Sequence, residues 1–246
     1  MTTRLLWLLL PLALPVSAQQ SGLTLISALP NESGAVEYSV KVEILILMTL
    51  LGMLPLALLM MTCFTRFIIV LALLRQAIGL QQAPPNKVLT GIALALTLLV
   101  MRPVWLNIHE NAVVPYQENR MTLQQALTAG SAPLKTFMLS QTSTSALEQI
   151  MLIAGSSGAA EAQDLTIIVP AFVLSELKTA FKIGFLIYIP FLVIDLVVAS
   201  ILMAMGMMML SPLIVSLPFK LILFVLVDGW SLIVGTLTQS VQGLAL

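Results

Sequence analysis

The sequence predicts an all-α, membrane-associated chain, and three observations carry that prediction. Apolar residues fill 59% of its 246 positions and charged residues only 9%, against roughly 45–50% and about 25% in an average soluble domain. The apolar residues gather into four long runs separated by turn signals, and prolines or lone charges break those runs. No single water-soluble core hides that much apolar surface, so lipid or a tight assembly must cover it.

The remaining composition narrows the function. Basic and acidic residues balance at 11 each with no basic block, which argues against a nucleic-acid partner. Cys63 is the only cysteine and His109 the only histidine. An internal disulfide or a cysteine metal cluster is therefore impossible, and no cofactor is expected.

Residues 1–18 read as a signal peptide. Arg4 supplies a thin positive start, "LLWLLLPLAL" an apolar stretch of suitable length, and "VSA" a small-residue cleavage site after Ala18. An uncleaved membrane anchor is the competing reading. Residues 19–43 are polar, with Pro30-Asn31 and Ser33-Gly34, and are expected to form a loose exported tail.

Residues 44–103 form the first expected helical hairpin. "ILILMTLLGMLPLALLMM" from Ile44 is long enough to cross a bilayer, which takes roughly 20 apolar residues. It passes into "TCFTRFIIVLALLRQAIG", where Arg66 and Arg75 interrupt the apolar sequence, and "LQQAPPNK" turns the chain into "VLTGIALALTLLV". Residues 104–165 are richer in charge, Gln, Thr and Ser, and predict a small, mostly helical extracytoplasmic insert that need not pack tightly. Residues 166–246 carry the second hairpin, with Pro190 and Asp195 in its first run and Asp228 in its second.

Basic residues set the expected orientation. Arg66, Arg75 and Lys87 surround the first inter-run turn and place it in the cytoplasm, with Lys220 in agreement. The N-terminus and the insert then lie outside. Four simple spans would satisfy this count, but the proline and charge breaks argue against simple spans.

Several residues are candidates for function. An acid at bilayer depth costs roughly 2.5–3.5 kcal/mol on insertion scales, so Asp195 and Asp228 mark either an ion path or internal pairs. Asp228-Gly229 also suits a helix break with an aspartate cap, and Lys220, eight residues earlier, is the expected counter-ion of Asp228. In "SELKTAFKIG", Lys178 and Lys182 share a helix face, while Glu176 lies about 200° from Lys178. Opposed charges of this kind suit a repeating head-to-tail contact between subunits; lysines snorkelling to lipid headgroups are the alternative. "GSSG" at 155–158 matches the G-x-S-G of intramembrane serine proteases, but it lies in a polar loop far from the single histidine. No catalytic constellation emerges.

The stretch "AMGMMMLSP" concentrates methionine before a proline break. Methionine is flexible and polarizable, so it fills irregular gaps and re-forms contacts when a partner changes. Ordinary helix packing or a deformable apolar seal would both use it.

Three stretches, "FTRFIIVLALLRQAIGLQQAPPNKVLTGIALALT", "PAFVLSELKTAFKIGFLIYIPFLVIDLVVASILMAMGMMML" and "LPFKLILFVLVDGW", closely resemble the FliP/SctR family of type III secretion export-gate subunits. The resemblance covers about residues 44 to 240, and the insert matches least. It implies an all-α, membrane-associated fold of kinked helical hairpins assembling into a helical pentameric pore, without enzymatic activity. The implied partners are four further copies, FliQ and FliR in a closed cone, FlhB and FlhA, membrane lipid, and unfolded flagellar export substrates. The implied place is the flagellar basal body in the bacterial inner membrane. By position, the resemblance makes Met207, Met208 and Met209 a gasket around the closed pore. It also implies hairpins held largely above the membrane plane. The rival reading is a secondary transporter or ion-channel subunit that uses Asp195 and Asp228.

Overall fold

The computed structural model describes residues 27–30, 36–39, 42–80, 83–207 and 210–241. The expected signal peptide, residues 1–18, lies outside the described residues, as do Met208 and Met209. The chain divides into two compact units, Met1–Met53 and Leu54–Leu246.

The first unit departs from the expected loose tail. Strand β1, Ser27–Pro30, pairs antiparallel with β2, Val36–Ser39, with Ala28 opposite Tyr38 and Leu29 opposite Glu37. Helix α1, Val42–Met60, begins here and ends in the second unit.

The second unit is built from helices. Between α1 and α2, Phe64–Ile78, the chain bends by 71°. Thr62 spans the break: its Oγ1 donates to the Leu59 carbonyl at 2.8 Å and accepts the Phe64 N–H at 3.4 Å. Helix α3, Asn86–Val100, packs on α2 through Leu89, Ala93 and Leu96. A 58° bend leads into α4, Arg102–Ile108, which runs through a π-helical turn, His109–Val113, into α5, Val114–Gln117. Helix α6, Leu123–Gln141, opens with a capping box between Thr122 and Gln125, and α7, Thr144–Ala154, follows.

Helix α8, Leu165–Ala204, is unbroken over 40 residues despite Pro170 and Pro190. At 1.5 Å per residue it is about 60 Å long, twice the hydrocarbon thickness of a bilayer. Among the described helices it alone is long and apolar enough to cross a membrane by itself; three bent pairs pass the same test when each pair is taken together. Gly206, at φ +72°, lets the Met207 N–H close back on the Leu202 carbonyl at 3.0 Å and ends α8 in a left-handed turn. Helix α9, Pro212–Leu226, then meets α10, Gly229–Ser240, at 66°.

The core forms where α2 meets α8. Phe67, Val70, Leu71 and Leu74 of α2 are buried against a stripe of α8 that repeats every four residues, Ile168, Phe172, Glu176, Ala180 and Gly184. Arg66 meets Glu176 and Leu73 meets Gly184, so the two helices run parallel. At Gly184 the approach is so close that an added Cβ would lie 2.2 Å from Leu73 Cδ1. The insert packs more firmly than the sequence suggests. Leu134, Phe137 and Met138 of α6 join the same core, with the Phe137 and Phe172 rings edge to face at 5.9 Å.

Beyond Gly184 the character of α8 changes. Phe185, Leu186, Leu192, Val193, Leu196 and Val197 point outward, as do Ile222, Val225 and Leu226 of α9. These side chains require a covering of lipid or protein.

Candidate functional site: two charge clusters within the helices

Four charges of the apolar segments pair inside the chain, in two clusters. The first centres on Arg66, which sits in an otherwise apolar face of α2 and is only 2% exposed. An arginine buried that far must find an anion and fill its five N–H donors. Glu176 of α8 supplies the anion: Arg66 Nε donates to Glu176 Oε2 at 2.9 Å and Nη2 donates to Oε1, a forked pair. Nη2 also donates to Gln141 Oε1 at 3.1 Å, and Nη1 to the Ser240 carbonyl at 2.5 Å and Ser240 Oγ at 3.1 Å. All five donors are thereby used.

This cluster ties five helices together. Ser175, beside Glu176, donates to the Gln141 carbonyl at 3.1 Å and accepts the Ser143 N–H at 3.0 Å. The end of α6, the entry to α7, the middle of α8 and the end of α10 thus converge on one α2 arginine.

The second cluster centres on Lys220 of α9. Its Nζ donates to Asp195 Oδ2 of α8 at 2.6 Å and to the Ala77 carbonyl at the end of α2 at 3.1 Å. Ser216, one turn earlier on α9, donates to Asp195 Oδ1 at 2.5 Å. The Lys220 side chain is 2% exposed and that of Asp195 28%, so the cluster is dry on the lysine side and reaches solvent or lipid on the other.

Three sequence expectations are corrected. Glu176 is fully buried against Arg66 and cannot serve a Glu-to-Lys contact between subunits, whereas Lys178 and Lys182 are exposed. The counter-ion of Lys220 is Asp195, because Lys220 points from α9 onto α8 while Asp228 lies past the end of α9. Asp228 does stand at a helix break, in the left-handed region at φ +48°, but its side chain makes no cap hydrogen bond. Arg66, being buried and paired, also drops out of the charge count that set orientation. Arg75 remains at the α2–α3 turn, where Nη1 donates to the Pro84 carbonyl at 3.2 Å and Asn86 Oδ1 at 2.6 Å.

Met207 is 42% exposed just after α8, with Met203 and Met205 also exposed. In the "GSSG" loop Ser156 donates to Gln163 Oε1 at 2.6 Å, so the hydroxyl serves the loop itself. Gln141, Ser175, Ser216 and Ser240 were not singled out from sequence. No local pattern marks them, since each acts across tens of residues.

A helical chain that buries paired charges and turns its apolar faces outward defines a membrane-associated protein. Comparison with known proteins makes this specific. Residues 47–237 match the FliP family, and the chain belongs to that family. It is 50% identical to the flagellar biosynthetic protein FliP of Pectobacterium carotovorum over 94% of this chain and 90% of that protein. It is also 50% identical to FliP of Bacillus subtilis, over 82% of this chain and 92% of the relative. Identity to FliP of Aquifex aeolicus is 45%, over 82% and 86%.

Proposed function

We propose that the chain is a pore-forming core subunit of the flagellar type III protein export gate. Five copies form a ring in the inner membrane, joined by FliQ and FliR and then by FlhB and FlhA. Unfolded flagellar axial subunits pass through its centre, and the chain itself catalyses no reaction. The observation that carries this reading, beside family membership, is the outward apolar surface of α8 and α9, which a lone chain leaves uncovered. Neighbouring copies and lipid supply the cover. The exposed methionines at the end of α8 suit an apolar seal that can part for a passing chain and close again.

The internal clusters weigh against the transporter reading. Asp195 is engaged by Lys220 and Ser216 as a clasp between α8 and α9. Reconstituting the chain with FliQ and FliR in vesicles tests the two readings together. The gate reading expects tight vesicles with the wild type and ion leakage after Met207, Met208 and Met209 are replaced by Ala. Vesicles that stay tight with the methionine variant, but lose a coupled ion flux on Asp195→Asn, would establish the transporter instead.

A further inference from the structure

An open groove between the second half of α2, the middle of α8 and the start of α9 belongs to neither charge cluster. Its volume is about 640 Å³, with Ile69, Leu73, Phe181 and Leu213 on its apolar walls and Arg75 and Tyr188 among its polar groups. That volume falls in the range of small-molecule sites, roughly 300–1,000 Å³.

The polar end is prepared for an anion. Arg75 is anchored through Nη1 alone, with both hydrogens of that nitrogen spent on Pro84 and Asn86. Its Nε–Nη2 edge has no partner among the described residues, and that edge is the one with which arginine grips phosphate in a fork. Tyr188 Oη likewise has no protein partner among the described residues. Lys178 and Lys182 flank Phe181, both exposed and both outside every ion pair of the described residues. At 100° per residue they lie about 60° and 100° around α8 from Phe181, on the same side. Helices α2, α3 and α9 carry no acid, and the two acids of α8 are turned onto Arg66 and Lys220. Arg75 thus brings a cation to an apolar groove with no acid facing it, while Lys178 and Lys182 stand beside Phe181 at the other end.

We propose that this groove holds one anionic phospholipid. Its phosphate sits on the free edge of Arg75 with Tyr188 Oη as a second donor. Its acyl chains lie along Ile69, Leu73 and Phe181. A soluble anion leaves the apolar wall wet, and a zwitterionic lipid brings a further cation beside Arg75, which no acid balances, so an anionic lipid is the occupant that satisfies both ends.

The test is native mass spectrometry of the full chain in detergent with added phosphatidylglycerol or phosphatidylcholine. Phosphatidylglycerol is expected to bind about tenfold more tightly, the preference falling about tenfold in Arg75→Gln. The pair Lys178→Gln with Lys182→Gln, exposed and outside the groove lining, is the control and is expected to leave the preference in place. Equal retention of the two lipids would overturn the proposal, as would a preference that survives Arg75→Gln. Displacement of the lipid by millimolar inorganic phosphate would mark a free-anion site and overturn it as well.

Discussion

Arg66 and Glu176 stand 110 residues apart in the chain and form one forked, fully buried ion pair between α2 and α8. Removing one partner leaves the other charge stranded in an apolar interior. Glu176→Ala is therefore expected to cost about 3–5 kcal/mol, whereas the exposed Lys178→Ala should stay within about 0.5 kcal/mol. Thermal unfolding of the purified chain in detergent, followed by tryptophan fluorescence, compares the two. Replacing both members, Arg66→Met with Glu176→Leu, should recover much of the loss. Equal losses in Glu176→Ala and Lys178→Ala would contradict the internal pairing.

The Lys220–Asp195 pair should be asymmetric, because only one side is dry. Asp195→Ala strands a lysine whose side chain is 2% exposed and is expected to cost about 3–5 kcal/mol. Lys220→Met leaves a carboxylate that is still 28% exposed and bonded to Ser216, so its cost should be smaller, about 1–3 kcal/mol. Melting temperatures of the two variants in the same detergent decide the order.

Gly184 permits the close approach of α8 to α2. In Gly184→Ala the new methyl meets Leu73 Cδ1 at 2.2 Å and Leu73 Cβ at 3.2 Å, an overpacking expected to cost about 1–3 kcal/mol. Because the clash is with one side chain, Leu73→Ala in the same chain should relieve part of it. A double-mutant cycle showing no coupling between the two positions would show that the helices adjust elsewhere.

Ser240 meets Arg66 through its backbone as well as its hydroxyl. Ser240→Ala removes one acceptor and should cost about 1 kcal/mol. Ending the chain at Gln239 removes both acceptors and leaves two buried donors of a cation unpaired, which should cost several times more, about 2–6 kcal/mol. Proteolytic susceptibility of the α2–α8 core distinguishes the two variants, with the truncated chain cut first.

Sequence patterns made the helices legible because apolar periodicity and turn residues are local. "LQQAPPNK" separates α2 from α3, and the return of apolar character at Leu165 coincides with the first residue of α8. The partners of the buried charges were not legible, because pairing across 110 residues leaves no local trace. Spacing on one helix suggested Asp228 for Lys220, yet a lysine side chain reaches across to the neighbouring helix as easily as along its own. Composition did hold one usable signal: an arginine inside an apolar run needs an acid, and Glu176, Asp195 and Asp228 are the only acids from Leu165 onward. The firm packing of the insert was hidden for another reason. Its polar outer residues dominate the composition, while Leu134, Phe137 and Met138 are few.

Native mass spectrometry of the detergent-purified chain, alone and co-expressed with FliQ and FliR, tests whether it is a ring-forming subunit of the export gate. A discrete homo-oligomer of five copies that gains both partners when they are present is the expected result. A monomer or dimer that leaves FliQ and FliR unbound, with the Arg66–Glu176 core intact by thermal unfolding, would contradict it.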